Sequence, residues 1–220
     1  MHIAEGIVSA PVLVTGIGVA TAGTAIGLRR LDYNHIAEAG ILSACFFVAG
    51  LIQIPIGPAS AHLVLNGLLG ILLGWAAFPA LVVGLLLQAL FFQFGGLTTL
   101  GINTMNLAVP AVICRYLYVY IPVSTRKWKA VSAFLCGFSG VGLASLGLSG
   151  SLAFSEENFA EVAALVFLSH IPIMFLEGII TAFGISFLTK VEPGLLPAKK
   201  TISVPALFQF FTIFRKKEIS

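Results

Sequence analysis

Charge is what this chain has least of. Of its 220 residues only 10% are Asp, Glu, Lys or Arg, against about 25% in ordinary soluble domains, while 58% are hydrophobic. Such a chain cannot cover a surface exposed to water, so it belongs in a bilayer. Cysteine is scarce as well. Cys45, Cys114 and Cys136 lie singly within apolar stretches, without the density of a disulfide framework or the spacing of a zinc knuckle, and read as small apolar fillers. Neither sign of charge dominates: a net +3 is too small for a nucleic-acid binder. A basic leader is missing too, because Met1-His2-Ile3-Ala4-Glu5-Gly6 carries an acid where a secretory signal would carry Lys or Arg. The first residues are therefore expected to stay on the mature protein. The nearest thing to a phosphate-binding loop, Lys200-Thr201, follows Lys199 where that loop requires glycine, so energy from ATP would have to be supplied by other chains.

What the chain has in abundance is apolar run. A spanning helix needs about 20 such residues, and runs bounded by polar or Gly/Pro breaks fall at residues 7–28, 37–54, 61–76, 78–94, 102–121, 130–150 and 162–188. The reading is all-α: a polytopic membrane bundle of about seven transmembrane helices, with a membrane domain over residues 1–190 and a cytoplasmic or interfacial tail over 191–220. The boundary near Trp75-Ala76-Ala77-Phe78-Pro79 has a proline but almost no polar residue, which leaves a six-span reading with one broken hairpin open. Gly23 with Gly27 and Gly70 with Gly74 recur at intervals that let helices approach closely. In the tail, Phe208, Phe210, Phe211 and Phe214 precede Arg215-Lys216-Lys217, as in an interfacial amphipathic segment.

Basic residues orient the ladder, since cytoplasmic loops are enriched in Lys and Arg. Arg29 and Arg30 follow the first span, Arg126, Lys127 and Lys129 the fifth, and Lys190, Lys199, Lys200, Arg215, Lys216 and Lys217 the seventh. Arg115, within the fifth span, is placed to reach the same interface. The other side carries Glu5, Glu156, Glu157 and Glu161. The N-terminus is thus expected outside and the C-terminus inside. On the outer side, residues 54–62 and 94–103 bear Gly, Pro or Thr without charge. Irregular backbone of that kind is tolerated where it lines a cavity, so both are read as walls of a pocket open to the outside.

Of the four histidines, His2 and His62 fall at the outer face and His35 in an inner loop. With Met1 retained, the chain start offers its α-amine, the amide of residue 2 and the His2 Nδ1. Amine to amide closes a five-membered chelate ring, and amide to Nδ1 a six-membered one. An imidazole from His62 would complete a planar set of four nitrogens, a geometry suited to Cu(II) or Ni(II) and not to tetrahedral Zn(II). The alternative is a frayed, solvated tail, a common fate of termini.

Four ordered pieces carry a resemblance. Met1 to Gly6, Ser60-Ala61-His62-Leu63, Gln88-Ala89-Leu90 through Gly95-Gly96-Leu97-Thr98-Thr99-Leu100-Gly101-Ile102-Asn103, and Ile171-Pro172-Ile173 with Glu177-Gly178 together resemble the substrate-capture subunit of nickel/cobalt energy-coupling-factor transporters. The likeness runs from residue 1 to about 190. It implies a non-enzymatic, multi-pass subunit of the cell (inner) membrane that takes Ni(II) or Co(II) from outside as transported substrate, with Met1, His2 and His62 as ligands. It further implies two ATPase subunits, a membrane coupling subunit and a small accessory membrane protein as partners. Pro58-Ala59-Ser60-Ala61-His62 is closer to the nickel-assigned pattern than to the Ser-Cys-Ser-His stretch of cobalt-assigned relatives. Asn103 is read either as a hydrogen-bond partner behind the ligands or as a helix cap.

Two intramembrane residues stand apart. Glu177, midway along the seventh span, is costly to bury as an anion and is read as a hydrogen-bonded strut, or else as a contact relaying metal occupancy. His170 is read as pairing with a backbone carbonyl. Two rival functions follow from such residues: a self-sufficient proton-coupled carrier or channel using Glu177, and an intramembrane serine protease using Ser149, from Gly147-Leu148-Ser149-Gly150, with His170.

Overall fold

The structure, a computed structural model, describes residues 2–56, 59–121, 125–155 and 160–197, with the side chains of 55, 56, 59–61 and 160–163 left out. Met1, Glu156, Glu157, Lys199, Lys200 and the Phe-rich tail therefore lie outside the described residues. Among the described residues lie eight α-helices and one short hairpin: α1 Ala10–Arg30, α2 Ile36–Ala49, β1 Gln53–Ile56, β2 Ala59–His62, α3 Asn66–Leu73, α4 Ala77–Phe92, α5 Leu100–Tyr120, α6 Arg126–Ala153, α7 Ala160–Ser169 and α8 Ile171–Val191.

Among the described residues, four stretches are long and apolar enough to cross a membrane: Ala10–Arg30, Asn66–Phe92, Arg126–Ala153 and Ala164–Val191. These four take in five of the seven expected runs, since Asn66–Phe92 spans both 61–76 and 78–94, and leave out those over 37–54 and 102–121. The 14 residues of α2 rise only about 21 Å, and α5 brings Asn103, Thr104, Asn106 and Arg115 into its turns. The run expected over 162–188 is divided at His170, just ahead of Pro172, which lacks the N–H that would continue the ladder, yet Ala164–Val191 still counts among the four. In α1 the side chains of Val14 and Ile17 point outward, 69% and 50% exposed, as a lipid-facing helix requires.

At the turn between α3 and α4, Gly74 takes φ +58 and ψ −121, a conformation open chiefly to glycine. It therefore ends a helix instead of packing two helices together, the role its spacing from Gly70 suggested. The turn also reverses direction, since Phe94, just beyond α4, returns to stack on His62, just before α3, at 6.4 Å between ring centroids. Gly23 and Gly27 do serve packing, meeting Phe78 and Trp75 respectively.

α5 stands at the centre, against α1, α3, α4 and α6, and α6 lies along α8. The core around it holds Phe46, Leu69, Phe78, Leu81, Leu85 and Leu107. α6 starts at Thr125, whose hydroxyl accepts from the Trp128 N–H. Cys114 and Cys136 fill the α5–α6 seam, each thiol donating to the other's carbonyl oxygen at 3.1 and 3.5 Å, and all three cysteines are free.

The hairpin was not foreseen. Residues 53–62 pair antiparallel with Gln53 opposite His62, so His62 closes a strand four residues ahead of α3, where a helix start was expected. Four residues per strand are too few for alternation to reveal, and Pro55 and Pro58 masked what remained.

Candidate metal site

The N-terminal segment turns at Glu5–Gly6 and is fastened at two points ahead of α1. Asn103, in the first turn of α5, accepts the Ile3 N–H on Oδ1 at 2.8 Å and donates from Nδ2 to the Ile3 carbonyl at 3.1 Å. One amide thus satisfies both backbone groups of one residue. Its Nδ2 also reaches Thr99 Oγ1 at 3.3 Å. Asn103 thus clamps the residue next to His2. The Ile3 side chain is 2% exposed and packs with Val8, Ile102, Leu148 and Leu152. Farther on, the Glu5 carboxylate accepts the Thr98 N–H at 3.1 Å, which holds its pKa below the usual carboxylate range.

The loop beneath allows this approach because it lacks side chains. Gly95 has φ +77, and a Cβ there would lie 2.8 Å from Asn103 Nδ2 and 3.6 Å from His2 Cβ. A Cβ on Gly96 would strike the Glu5 side chain. The Gly95–Asn103 loop is therefore the bed of the N-terminal segment. Beside it, at the end of β2, His62 is buried at 7% exposure.

The segment delivers His2 onto His62. Their rings stack with centroids 4.6 Å apart and planes at 18°, and the Phe94 ring lies parallel to both, at 6.0 Å from His2 and 6.4 Å from His62. Burial is the main cause that pushes both pKa values down, to about 2 for His2 and about 3 for His62, with repulsion by neighbouring cations adding to it and His170 among those acting on His62. Both rings are thus neutral at pH 7 and keep a lone pair. The His62 Nδ1 donates to the Leu63 carbonyl at 3.0 Å. Neither His2 ring nitrogen is exposed, and neither makes an aligned hydrogen bond. Among the described residues no three His, Cys, Asp or Glu gather into a metal-holding group, so a metal here would have to draw on backbone or terminal nitrogens besides the two imidazoles.

Glu177 supports His62 from below. It is fully buried, and its carboxylate accepts the Val64 N–H on Oε1 and the Leu65 N–H at 2.9 and 3.0 Å. At the other end of α3, the Arg115 guanidinium donates to the carbonyls of Ile71 and Leu72. A carboxylate at the start of a helix and a guanidinium at its end each oppose the charge of the helix dipole there, so the eight-residue α3 is pinned at both ends. Position in an apolar run was the only signal for either partner.

His170 turns Nδ1 to the Val166 carbonyl at 2.6 Å, the backbone pairing expected of it. His35 is exposed in a 3-10 turn at the opposite end of the bundle from His2. Sequence reasoning passed over Gln88, which is 0% exposed on α4 and whose side chain acts on the His2 ring.

Comparison with known proteins bears on this arrangement. Residues 2–195 match the family described as CbiM, cobalt uptake substrate-specific transmembrane region. A Haemophilus influenzae protein provisionally named a metal transport protein is 38% identical over 209 residues, covering 92% of this chain and 100% of that one. A cobalt transport protein of Sorangium cellulosum is 29% identical, over 89% of this chain and 94% of its own. A crystal structure of a transition metal transporter superposes with a TM-score of 0.71 at 25% identity, covering 88% of this chain and 94% of that one.

Proposed function

The chain belongs to the CbiM family of cobalt-uptake substrate-specific transmembrane regions, membrane components of metal transport and not enzymes, and on that premise we propose that it captures Ni(II) in preference to Co(II). The captured ion would pass inward as the substrate of an ATP-driven energy-coupling-factor transporter. The ligands would be the α-amine of Met1, the amide and Nδ1 of His2, and Nε2 of His62. The observation that carries the reading is the buried His2–His62 stack. Two imidazoles bound cis to one ion at about 2.0 Å would hold their centroids roughly 4–5 Å apart, close to the separation found. The rings need only rotate for both lone pairs to meet one ion.

Nickel is favoured over cobalt because a deprotonated amide and three further nitrogens in a plane suit Ni(II), and because of the Ser60-Ala61-His62 pattern. The site end of the bundle would face outside, with seven crossings and the C-terminus in the cytoplasm of the inner-membrane protein. The placement of Arg30, over the Trp75 ring at 5.4 Å, at the end away from His2 supports that orientation. ATPase subunits, a membrane coupling subunit and a small accessory membrane protein would be the partners. Residues 191–220 would form a cytoplasmic or interfacial tail.

The test is a Ni(II) titration of the purified chain in detergent. A yellow planar d–d band that saturates at one ion per chain, and is lost in His2→Ala and His62→Ala, is expected. A pale octahedral spectrum, or binding indifferent to both substitutions, would remove the reading. Uptake that requires the ATPase partners separates a coupled subunit from a proton-driven carrier, whose uptake would survive ATP depletion.

A further inference from the structure

An imidazole that gives one nitrogen to a metal keeps a proton on the other, and that N–H is generally held by a carbonyl, a carboxylate or water. In His62 the requirement is met locally. The Leu63 carbonyl can only accept, so Nδ1 carries the proton and Nε2 the lone pair. His2 has the opposite constraint. Its Nδ1 is the nitrogen that closes a ring with its own amide, so Nε2 bears the proton and needs an acceptor in a region closed to solvent.

Gln88 supplies one. Its Nε2 faces the carbonyls of Phe46 and Phe47 at 3.4 and 3.3 Å, and Gly50 sits so close that a Cβ there would collide with it at 2.1 Å. Two acceptors on the amide nitrogen dictate which way the amide is turned, and Oε1, on the opposite side, is buried without a partner. The same residue's backbone carbonyl accepts the Phe94 N–H at 3.3 Å. The turn of α4 that holds the amide therefore also holds the ring stacked on both histidines. The Gln88 side chain lies within interaction range of the His2 ring.

We propose that Gln88 is the positioning residue of the metal site: its Oε1 accepts the Nε2–H of His2, and so holds that ring in the tautomer and orientation that present Nδ1 to the ion. The proposal rests on the four-nitrogen reading above. By drawing on the N–H, Gln88 makes Nδ1 a stronger donor, which favours ions that bind in a plane.

Cu(II) is the probe for the full chain in detergent, because pulsed EPR reads the quadrupole coupling of the remote nitrogen of each bound imidazole, and that coupling follows the hydrogen bond its N–H makes. Gln88→Met keeps the length of the side chain without an acceptor. One of the two remote-nitrogen patterns is expected to move toward a weakly bonded imidazole, and Ni(II) affinity to fall about 10- to 100-fold. Gln88→Glu offers a stronger acceptor and should move the same pattern the other way, so either variant suffices if the other does not fold. An unmoved pattern in a folded variant overturns the proposal whatever the affinity does. A wild-type spectrum without two coordinated imidazoles overturns the four-nitrogen reading and the proposal with it.

Discussion

The side-chain amide of Asn103 holds both backbone groups of Ile3, accepting its N–H at 2.8 Å and donating to its carbonyl at 3.1 Å. Through that contact, with the Glu5–Thr98 hydrogen bond and the packing of Ile3, a helix in the middle of the bundle helps to set where the beginning of the chain lies. The stack of His2 on His62 is its consequence.

Replacing Asn103 by Leu leaves those two groups without partners in a buried place, at about 1–3 kcal/mol each. The segment is expected to leave its bed. Digestion with an aminopeptidase checks this: the wild-type chain should resist trimming, Asn103→Leu should be trimmed, and its Ni(II) affinity should fall while the melting temperature of the bundle changes little.

Gly95→Ala should act on the same contact from below. A side chain at φ +77 costs about 1–2 kcal/mol, and its Cβ would press on Asn103 Nδ2 at 2.8 Å. Isothermal titration should find weaker Ni(II) binding than in the wild type. A Gly18→Ala control, where a Cβ meets nothing within 4 Å, should bind normally.

Acid should release the segment. Docked, the rings of His2 and His62 are pushed down to about 2 and about 3; undocked, they return to about 6.5. Above that value neither form takes a proton, and docking is at full strength. Below it the undocked form gains protons that the docked form refuses, so docking weakens as pH falls. Ni(II) affinity measured from pH 7.5 down to 5 is expected to fall with a slope steeper than two protons per ion, because the α-amine and the His2 amide each shed a proton on binding and the undocked rings add theirs. A flat profile would contradict the buried, neutral pair.

Glu177 should tolerate loss of charge better than loss of its acceptor. Glu177→Gln still offers an oxygen to the Val64 and Leu65 N–H groups, whereas Glu177→Leu orphans both, at about 1–3 kcal/mol each. Thermal unfolding in detergent should place Gln near the wild type and Leu well below it. Ni(II) affinity should follow the same order, because the two residues after His62 and Leu63 lose their anchor.

How much of this was legible follows residue by residue. The chelate rings proposed at the chain start follow from connectivity, because ring size is a property of the backbone and needs no tertiary information, whereas His62 entered through its place on the ladder of spans and the resemblance. Membrane character followed from the missing charge. The hairpin before α3 was hidden because strands of four residues containing proline carry no periodicity. Gln88, Glu177 and Arg115 stood as lone polar residues in apolar runs. Such residues must find partners, but the partners, Phe46, Phe47, Val64, Leu65, Ile71 and Leu72, are backbone groups, and no side-chain pattern marks a backbone group. Asn103 was noticed for its chemistry, while its true partner, the Ile3 peptide, is 100 positions away. The division of α7 from α8 was announced by Pro172 and overlooked in favour of an unbroken run.

The central claim is that the chain's own first nitrogen binds the ion, and one measurement addresses it directly: Ni(II) titration of the chain carrying a single extra residue ahead of Met1, followed by the planar d–d band. The extension moves the α-amine out of the five-membered ring without touching His2, His62, Asn103 or Gln88. Loss of the band and a large drop in affinity, with the melting temperature of the metal-free protein unchanged, is the predicted result. A band and an affinity equal to those of the unextended chain would contradict the account.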